Sequence, residues 1–402
     1  MISKIVIPIL LLILLPDVWL WLHRHKVSRF VVWPLTLASL AMCIYTIWFA
    51  SLPDYSSAST DCLIIYLLLL CVVFVPKVIV VGCYAWSKRI KSDSGMLRAL
   101  PLAGGIALSL VAIYISVYGM TIGFRQLQVT RFDYCSTDIP EAFDGYRIVL
   151  FSDLHIGSYI TKLMAGADCD NASSTANSHV AAVVDSIRAQ HADLIVFAGD
   201  LQNMRPHEVE PFRHLLATLR APDGVIAILG NHDYSEYIGG TDEEKRLNEQ
   251  QTIETVRSLG WDLLMDDNRK LRRGGDSIVV AGMENVSDKP AFADKGDMTK
   301  TMSGVEPDAF TIMLQHDPRT WRKRILPETS AQLTLSGHTH AGQICLFGYY
   351  PVALAYKEYY GLYTDKSSGR ALYVSSGIGG FVPFRFNVPS EVVVITLRSN
   401  GL

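Results

Sequence analysis

Residues 225–233 read VIAILGNHD: five apolar residues, a glycine, then an amide, an imidazole and a carboxylate in succession. A short, unbroken apolar run of this kind predicts a strand buried on both faces. The polar residues after it then sit at the strand's carboxyl end, the edge where open α/β sheets bind ligands. Outward from this stretch the same arrangement recurs. RIVLFS (147–152) precedes Asp153 and His155, and LIVFA (194–198) precedes Gly199 and Asp200. The run 310–314 precedes His316, and the run 332–335 precedes Gly337-His338-Thr339-His340. Five predicted strands thus deliver Asp, Asn or His to one edge.

Those residue types suit divalent cations such as Mn²⁺, Fe and Zn²⁺, which take carboxylate, amide oxygen and neutral imidazole donors. In Asp153-Leu-His155, positions i and i+2 of an extended segment point the same way, so both side chains can reach one ion. Glycines at 199, 230 and 337 let the backbone turn sharply and approach the donors. Two ions about 3.5–4 Å apart can share a hydroxide, lower its pKa and stabilise a phosphoryl group during in-line attack.

Between the strands the pattern changes to helix. Val180, Val183, Val184 and Ile187 share one face of 179–191, and 207–220 and 249–259 are further predicted helices. Later strands are expected at 277–281, 371–374 and 392–397. Alternation followed mostly by strands predicts two packed sheets with helices outside them. The small polar stretch 164–178 is expected to be a mobile loop.

The order D-x-H, G-D, G-N-H-D, H, G-H-T-H resembles the calcineurin-like metallophosphoesterase family over roughly residues 147–340. Gly377-Ile-Gly-Gly380 and Pro383-Phe-Arg385 extend the likeness to membrane-associated bacterial members. The resemblance implies a four-layer α/β/β/α sandwich. It also implies two divalent metal ions, manganese foremost among Mn, Fe and Zn. Asp153, His155 and His340 would hold the first, Asn231, His316 and His338 the second, and Asp200 both. His232 would face the substrate, stabilise phosphoryl oxygens and protonate the leaving group, with Asp233 orienting it. A phosphate ester or anhydride is then the expected substrate. Amidohydrolases and metallo-β-lactamase-like enzymes open on H-x-H arrays, which this chain does not. A catalytically silent receptor or scaffold on the same fold is the alternative. Arg385 is read either as a phosphate-binding fork or as a structural ion pair, and His207 and His214 as surface residues. The tyrosines at 349, 350, 356, 359, 360 and 363 are read as strand-packing aromatics, or as the lining of a substrate entrance that touches headgroups.

The N-terminal third differs. Apolar stretches at about 2–22, 30–50, 62–86 and 101–123 are each long enough to cross a hydrocarbon core of about 30 Å at 1.5 Å per residue. Residues 1–123 are therefore expected to form four transmembrane helices, 124–145 a linker, and 146–402 the catalytic domain. Arg24, Lys26 and Arg29 lie between the first two stretches, and Lys88, Arg89, Lys91 and Arg98 between the last two. The middle loop 51–61 carries only acidic charge. The positive-inside rule then puts the basic loops in the cytoplasm and the catalytic domain outside it, at a cell (inner) membrane. Asp17 and Lys77 fall inside spans at similar depth, where they are read either as a contact pair or as side chains snorkelling independently toward the inner headgroups.

Composition narrows the rest. Half of the 402 residues are hydrophobic and the net charge is −3. No nucleic-acid partner held by bulk charge is expected, and no obligate protein partner is evident. The substrate is expected to be lipid-linked or an envelope component. The seven cysteines lack the close spacing of a zinc cluster or disulfide framework.

Overall fold

The computed structural model describes residues 3–23, 27–52, 57–160, 176–287 and 294–399. The expected loop at 164–178 lies for the most part outside the described residues. The chain divides into two compact units, Met1–Met120 and Thr121–Leu402.

The first unit is helical. It comprises α1 (Ser3–Leu22), α2 (Arg29–Ala50), α3 (Ser57–Leu69), α4 (Val75–Ser87) and α5 (Gly95–Thr121). α3 and α4 run on through a π-helical turn, Leu70–Phe74. Its apolar side chains point the wrong way for water: Phe30, Ile44, Leu37 and Leu110 are 61–78% exposed. A helix apolar on its outer surface belongs in lipid. Among the described residues, three segments are long and apolar enough to cross a membrane: Arg29–Ala50, Thr60–Ser87 and Gly95–Arg125. The first of the four expected spans is shorter, with its apolar part at Val6–Leu22. Inside the unit the contact pair is the arrangement present. Lys77 Nζ lies 2.5 Å from Asp17 Oδ2, and also donates to Ser39 Oγ at 2.5 Å and to the Ile13 carbonyl at 3.2 Å. Gly105 lets α5 approach α4, since a Cβ there would collide with Cys83.

Among its described residues the second unit carries twelve strands: β1 (Leu127–Cys135), β2 (Arg147–Phe151), β3 (Leu194–Phe197), β4 (Val225–Ala227), β5 (Asp262–Leu263), β6 (Asp267–Arg273), β7 (Asp276–Gly282), β8 (Thr311–Leu314), β9 (Leu333–Ser336), β10 (Gly361–Thr364), β11 (Ala371–Val374) and β12 (Ser390–Arg398). They form two six-stranded sheets, ordered β1-β12-β2-β3-β4-β5 and β10-β11-β9-β8-β7-β6. In the first, β2, β3, β4 and β5 are mutually parallel; in the second, β7, β8, β9 and β11 are.

Strand alternation makes the layers. Ile148, Leu150, Val196 and Ile226 face Val280, Ile312, Leu335 and Tyr373 in a dry core between the sheets. Their neighbours Val149, Phe151, Ile195 and Phe197 face outward onto Val180, Val183, Val184 and Ile187 of the helix Ala176–Arg188. On the far side, Ala281, Met313 and Val374 pack against Trp321 and Ile325. This is the expected α/β/β/α sandwich. Fully buried parallel strands need apolar residues on both faces, which is why their sequences read as unbroken runs.

Two expectations need correcting. Residues 124–145 are not merely a link, because β1 lies within them and pairs with β12 from Leu127↔Ser390 to Cys135↔Arg398. Its apolar side chains switch faces midway, Leu127 and Val129 packing on one core and Phe132 and Tyr134 on the other, which hid the period. The expected helix at 207–220 is a 3₁₀ turn, Pro206–Phe212, followed by one α-turn, Arg213–Leu216. Pro211 lacks the N–H that an α-helix would need there.

Candidate metal centre

The loops leaving β2, β3, β4, β8 and β9 converge at one edge of the two sheets. Asp153, His155, Asp200, His338 and His340 all adopt positive φ, between 43° and 74°. Such backbone is strained for a side chain other than glycine, and persists where the surroundings over-determine it. The glycines at 199, 230 and 337 are needed for closeness: a Cβ would strike Gly230 N, Asp200 Oδ1 and Asp153 Oδ2 respectively.

Three groupings bring ligand atoms within 4.8 Å of one another: Asp153, His155 and His340; His155, Asp200 and His232; Asp153, Asp200 and His316. His155 Nε2 and His316 Nε2 stand 3.3 and 3.2 Å from Asp200 Oδ2, and His316 Nε2 is 4.0 Å from Asp153 Oδ1. His340 Nε2 is 3.6 Å from Asp153 Oδ1. Yet His155 Nε2, His316 Nε2 and His340 Nδ1 are buried without a hydrogen-bond partner among the described residues. Buried polar atoms are normally satisfied, so nitrogens left open toward carboxylates fit cations held among them. Asn231 Oδ1 meets His338 Nδ1 at 2.6 Å, and the His316 and His338 rings lie 5.2 Å apart.

Neighbouring groups fix the imidazoles. His316 Nδ1 lies 2.7 Å from the Ala198 carbonyl, which can only accept, so Nδ1 carries the proton and Nε2 is the free donor atom. His338 Nε2 meets Tyr356 Oη at 2.9 Å. Partners of this sort orient metal-binding histidines. Electrostatics agree with a demand for positive charge. Burial opposes ionisation of Asp200, but the neighbouring imidazoles of His316, His232 and His155 outweigh it and hold the carboxyl well below its usual range. Burial likewise opposes protonation of His316, and Asp200 and Asp153 override it to push the ring up to about 10. His338, by contrast, is driven down to about 4, chiefly by burial.

His232 sits beside these groups. Its backbone N–H donates to Asp200 Oδ1 at 2.8 Å, and its Nδ1 meets the Asn203 carbonyl at 2.7 Å. Its ring stacks on Tyr237, with centroids 4.2 Å apart. The expected pairing with Asp233 gives way to a different arrangement. Asp233 accepts the backbone N–H groups of Asp200, Leu201, Gln202 and Gly230, at 2.8, 2.9, 3.3 and 2.9 Å. It ties the loop carrying Asp200 to the loop carrying Asn231 and His232, and the Asn203 carbonyl orients His232.

Arg385 is fully buried. Its guanidinium donates to the carbonyls of Ser376, Gly377 and Gly379 at 2.8, 3.1 and 2.6 Å. That binds Arg385 to backbone in place of either expected role, phosphate fork or ion pair. The loop it holds lies against the first aspartate, since a Cβ on Gly377 or Gly379 would hit Asp153 or the backbone of Leu154. Sequence reasoning also missed Asp317, whose Oδ2 is 3.6 Å from His338 Nε2, and Phe381, whose ring is 5.6 Å from that of His232. Asp317 had a signal in its adjacency to His316; Phe381 had none. His207 and His214 are exposed, as expected.

Known proteins carry the same pattern. The family model for calcineurin-like phosphoesterases matches residues 146–342. An uncharacterized metallophosphoesterase of Bacillus subtilis, YkuE, is 30% identical over 287 residues, covering 69% of this chain and 87% of the relative. A "transmembrane protein with metallophosphoesterase domain" of Danio rerio is 25% identical over 354 residues, covering 85% of this chain and 74% of the relative. Among solved structures, a dimetal phosphatase from Danio rerio aligns with TM-score 0.33 and 11% identity, over 58% of this chain and 88% of that one. With its carboxylate and imidazole donors gathered at one sheet edge and kinship of this extent, the chain belongs to the calcineurin-like metallophosphoesterases, metal-dependent phosphoesterases that use two divalent ions.

Proposed function

We propose that this chain hydrolyses a phosphate ester or anhydride of a lipid-linked or envelope component, with its catalytic unit on the outer side of the membrane. The observation that carries the chemistry is the open set of buried nitrogens around Asp200. Asp153, His155 and His340 would hold one ion and Asn231, His316 and His338 the other, with Asp200 available to both. Manganese suits a donor set of oxygen and imidazole nitrogen without thiolate. Bound ions supply an acidified water to attack phosphorus and positive charge for the phosphoryl oxygens. His232, neutral through burial at a pKa of about 4 and with its Nδ1–H held by the Asn203 carbonyl, presents Nε2 as an acceptor beside the leaving oxygen and would give up a proton there only after taking one. Asp233 and Arg385 keep the ligand loops in register.

The membrane reading rests on the three candidate spans and the exposed apolar surface of the first unit. Sidedness follows from the basic loops, provided that α1 also crosses. The test is phosphate release by Mn²⁺-loaded protein from a panel of lipid and nucleotide phosphates. Hydrolysis of a lipid phosphate, lost in Asp200→Ala and His232→Ala, is the expected result; undiminished hydrolysis in Asp200→Ala refutes the mechanism. Protease added to sealed, right-side-out vesicles should cut the catalytic unit.

A further inference from the structure

Large apolar side chains are rarely exposed in the second unit. Among the described residues of 126–402, five are: Leu247, Phe347, Tyr349, Leu354 and Leu362. Four of the five fall within sixteen residues, and Phe347 and Leu354 are the most exposed, at 108% and 85%. Scattered singly such residues need no explanation, but a concentrated patch marks an interaction surface.

The tip of this segment is built against its own residue preference. Leu346 and Tyr349 pair antiparallel, each N–H donating to the other's carbonyl at 2.9 Å. The two residues between them, Phe347 and Gly348, have φ of 52° and 81°. A two-residue hairpin with positive φ at both central positions favours Asn-Gly or Asp-Gly. Here phenylalanine takes the first position, with a strained backbone, and among the described residues its side chain is left fully exposed.

The base, in contrast, is firm. Ala341, Cys345 and Val388 form a small core with Tyr350 and Tyr360. Cys345 N donates to the Phe386 carbonyl at 2.9 Å, and Asn387 Nδ2 to the Cys345 carbonyl at 3.2 Å. The segment is also seated on the metal-ligand loops. Tyr356 Oη meets His338 Nε2 at 2.9 Å, and Thr339 Oγ1 donates to the Tyr359 carbonyl at 2.6 Å.

We propose that residues 346–357 are an interfacial anchor, inserting Phe347, Tyr349 and Leu354 at the headgroup–acyl boundary of the bilayer. The same chain supplies the argument for that occupant, because among the described residues three helices are long and apolar enough to cross a membrane and would hold the chain at one. Aromatic and aliphatic side chains flanked by an exposed lysine, here Lys357, suit this boundary. Through Tyr356 and Tyr359 the anchor fixes the candidate metal centre at the lipid surface, where a headgroup phosphate lies. This part rests on the phosphoesterase reading above; the membrane contact does not.

The test uses the full chain reconstituted in vesicles of phosphatidylethanolamine and phosphatidylglycerol. A photo-crosslinking benzoylphenylalanine replaces Phe347 in one sample and Leu247 in another, and lipid adducts are measured by mass spectrometry. The expected result is roughly tenfold more lipid adduct from position 347 than from 247. Equal yields overturn the anchor, and so does a chain-to-chain adduct at 347, which would assign the patch to a second copy. Hydrolysis of a soluble phosphate ester by the same preparations separates the two readings. Adducts without hydrolysis keep the anchor and remove the phosphoesterase; hydrolysis with equal adducts removes the anchor alone.

Discussion

The two units each bury charge, and they treat it in opposite ways. In the helical unit Lys77 touches Asp17 and Ser39, both at 2.5 Å, and the ammonium spends its donors on groups already present. In the sandwich, imidazole nitrogens stand 3.2–4.0 Å from Asp200 and Asp153, and two of them, His155 Nε2 and His316 Nε2, lack a hydrogen bond among the described residues. The helical pair brings opposite charges together, although Asp17 Oδ1 has no hydrogen-bond partner among the described residues. An open set with one sign missing calls for a ligand of that sign. Burial alone therefore does not separate structure from function; the state of the partners does.

The comparison breaks most visibly at Asp200. Asp200→Ala removes the group shared between the two ligand sets, and should lower kcat/KM on a soluble phosphate ester by several kcal/mol, on the order of 10³-fold or more. The metal-free protein should melt lower as well, since Asp200 accepts the His232 N–H and is the carboxylate that keeps His316 charged. A variant whose turnover falls less than tenfold would show that the open cluster is not the reaction centre.

Lys77→Met is the matching break in the helical unit. It leaves Asp17 buried without its cation and should destabilise the membrane unit by roughly 3–5 kcal/mol, read as lost folded yield in detergent. Adding Asp17→Leu should restore most of that yield. If the double variant is as poor as the single one, the pair is not a closed unit.

Asp233→Asn sharpens the contrast within the site. Its carboxylate supports two ligand loops through four backbone N–H groups, so the amide variant should lose about 10–100-fold in metal affinity or activity. The pH profile of turnover should keep its shape, because Asp233 does not touch His232. A shifted profile would return Asp233 to the orienting role that the sequence first suggested.

The smallest effect is expected at Tyr356→Phe. Loss of one neutral hydrogen bond to His338 amounts to about 1 kcal/mol, so metal should dissociate roughly fivefold more readily. No change in metal affinity would mean that Tyr356 belongs to the loop alone.

Most of the sandwich was legible because parallel strands buried on both faces leave a strong one-dimensional signature, and because each ligand follows such a strand within a few residues. Asp153, Asp200 and Asn231 are placed by that rule. What escaped came through geometry that sequence distance hides. β1 pairs with β12 at the other end of the unit, and β6, rich in charge, has no apolar run to mark it as a strand. Asp233 stands next to His232 in sequence, but the 3₁₀ turn Asn231–Asp233 sends the two side chains apart. Arg385 carries the right charge for phosphate and the wrong depth. Phe347 declared itself only through φ and exposure, neither of which a single sequence records.

The most direct test of the central claim is anomalous diffraction from crystals of the full chain grown with Mn²⁺. The account predicts two peaks, one among Asp153, His155 and His340 and one among Asn231, His316 and His338, with Asp200 reaching both. A single peak, or none, in protein that still hydrolyses phosphate esters would contradict it.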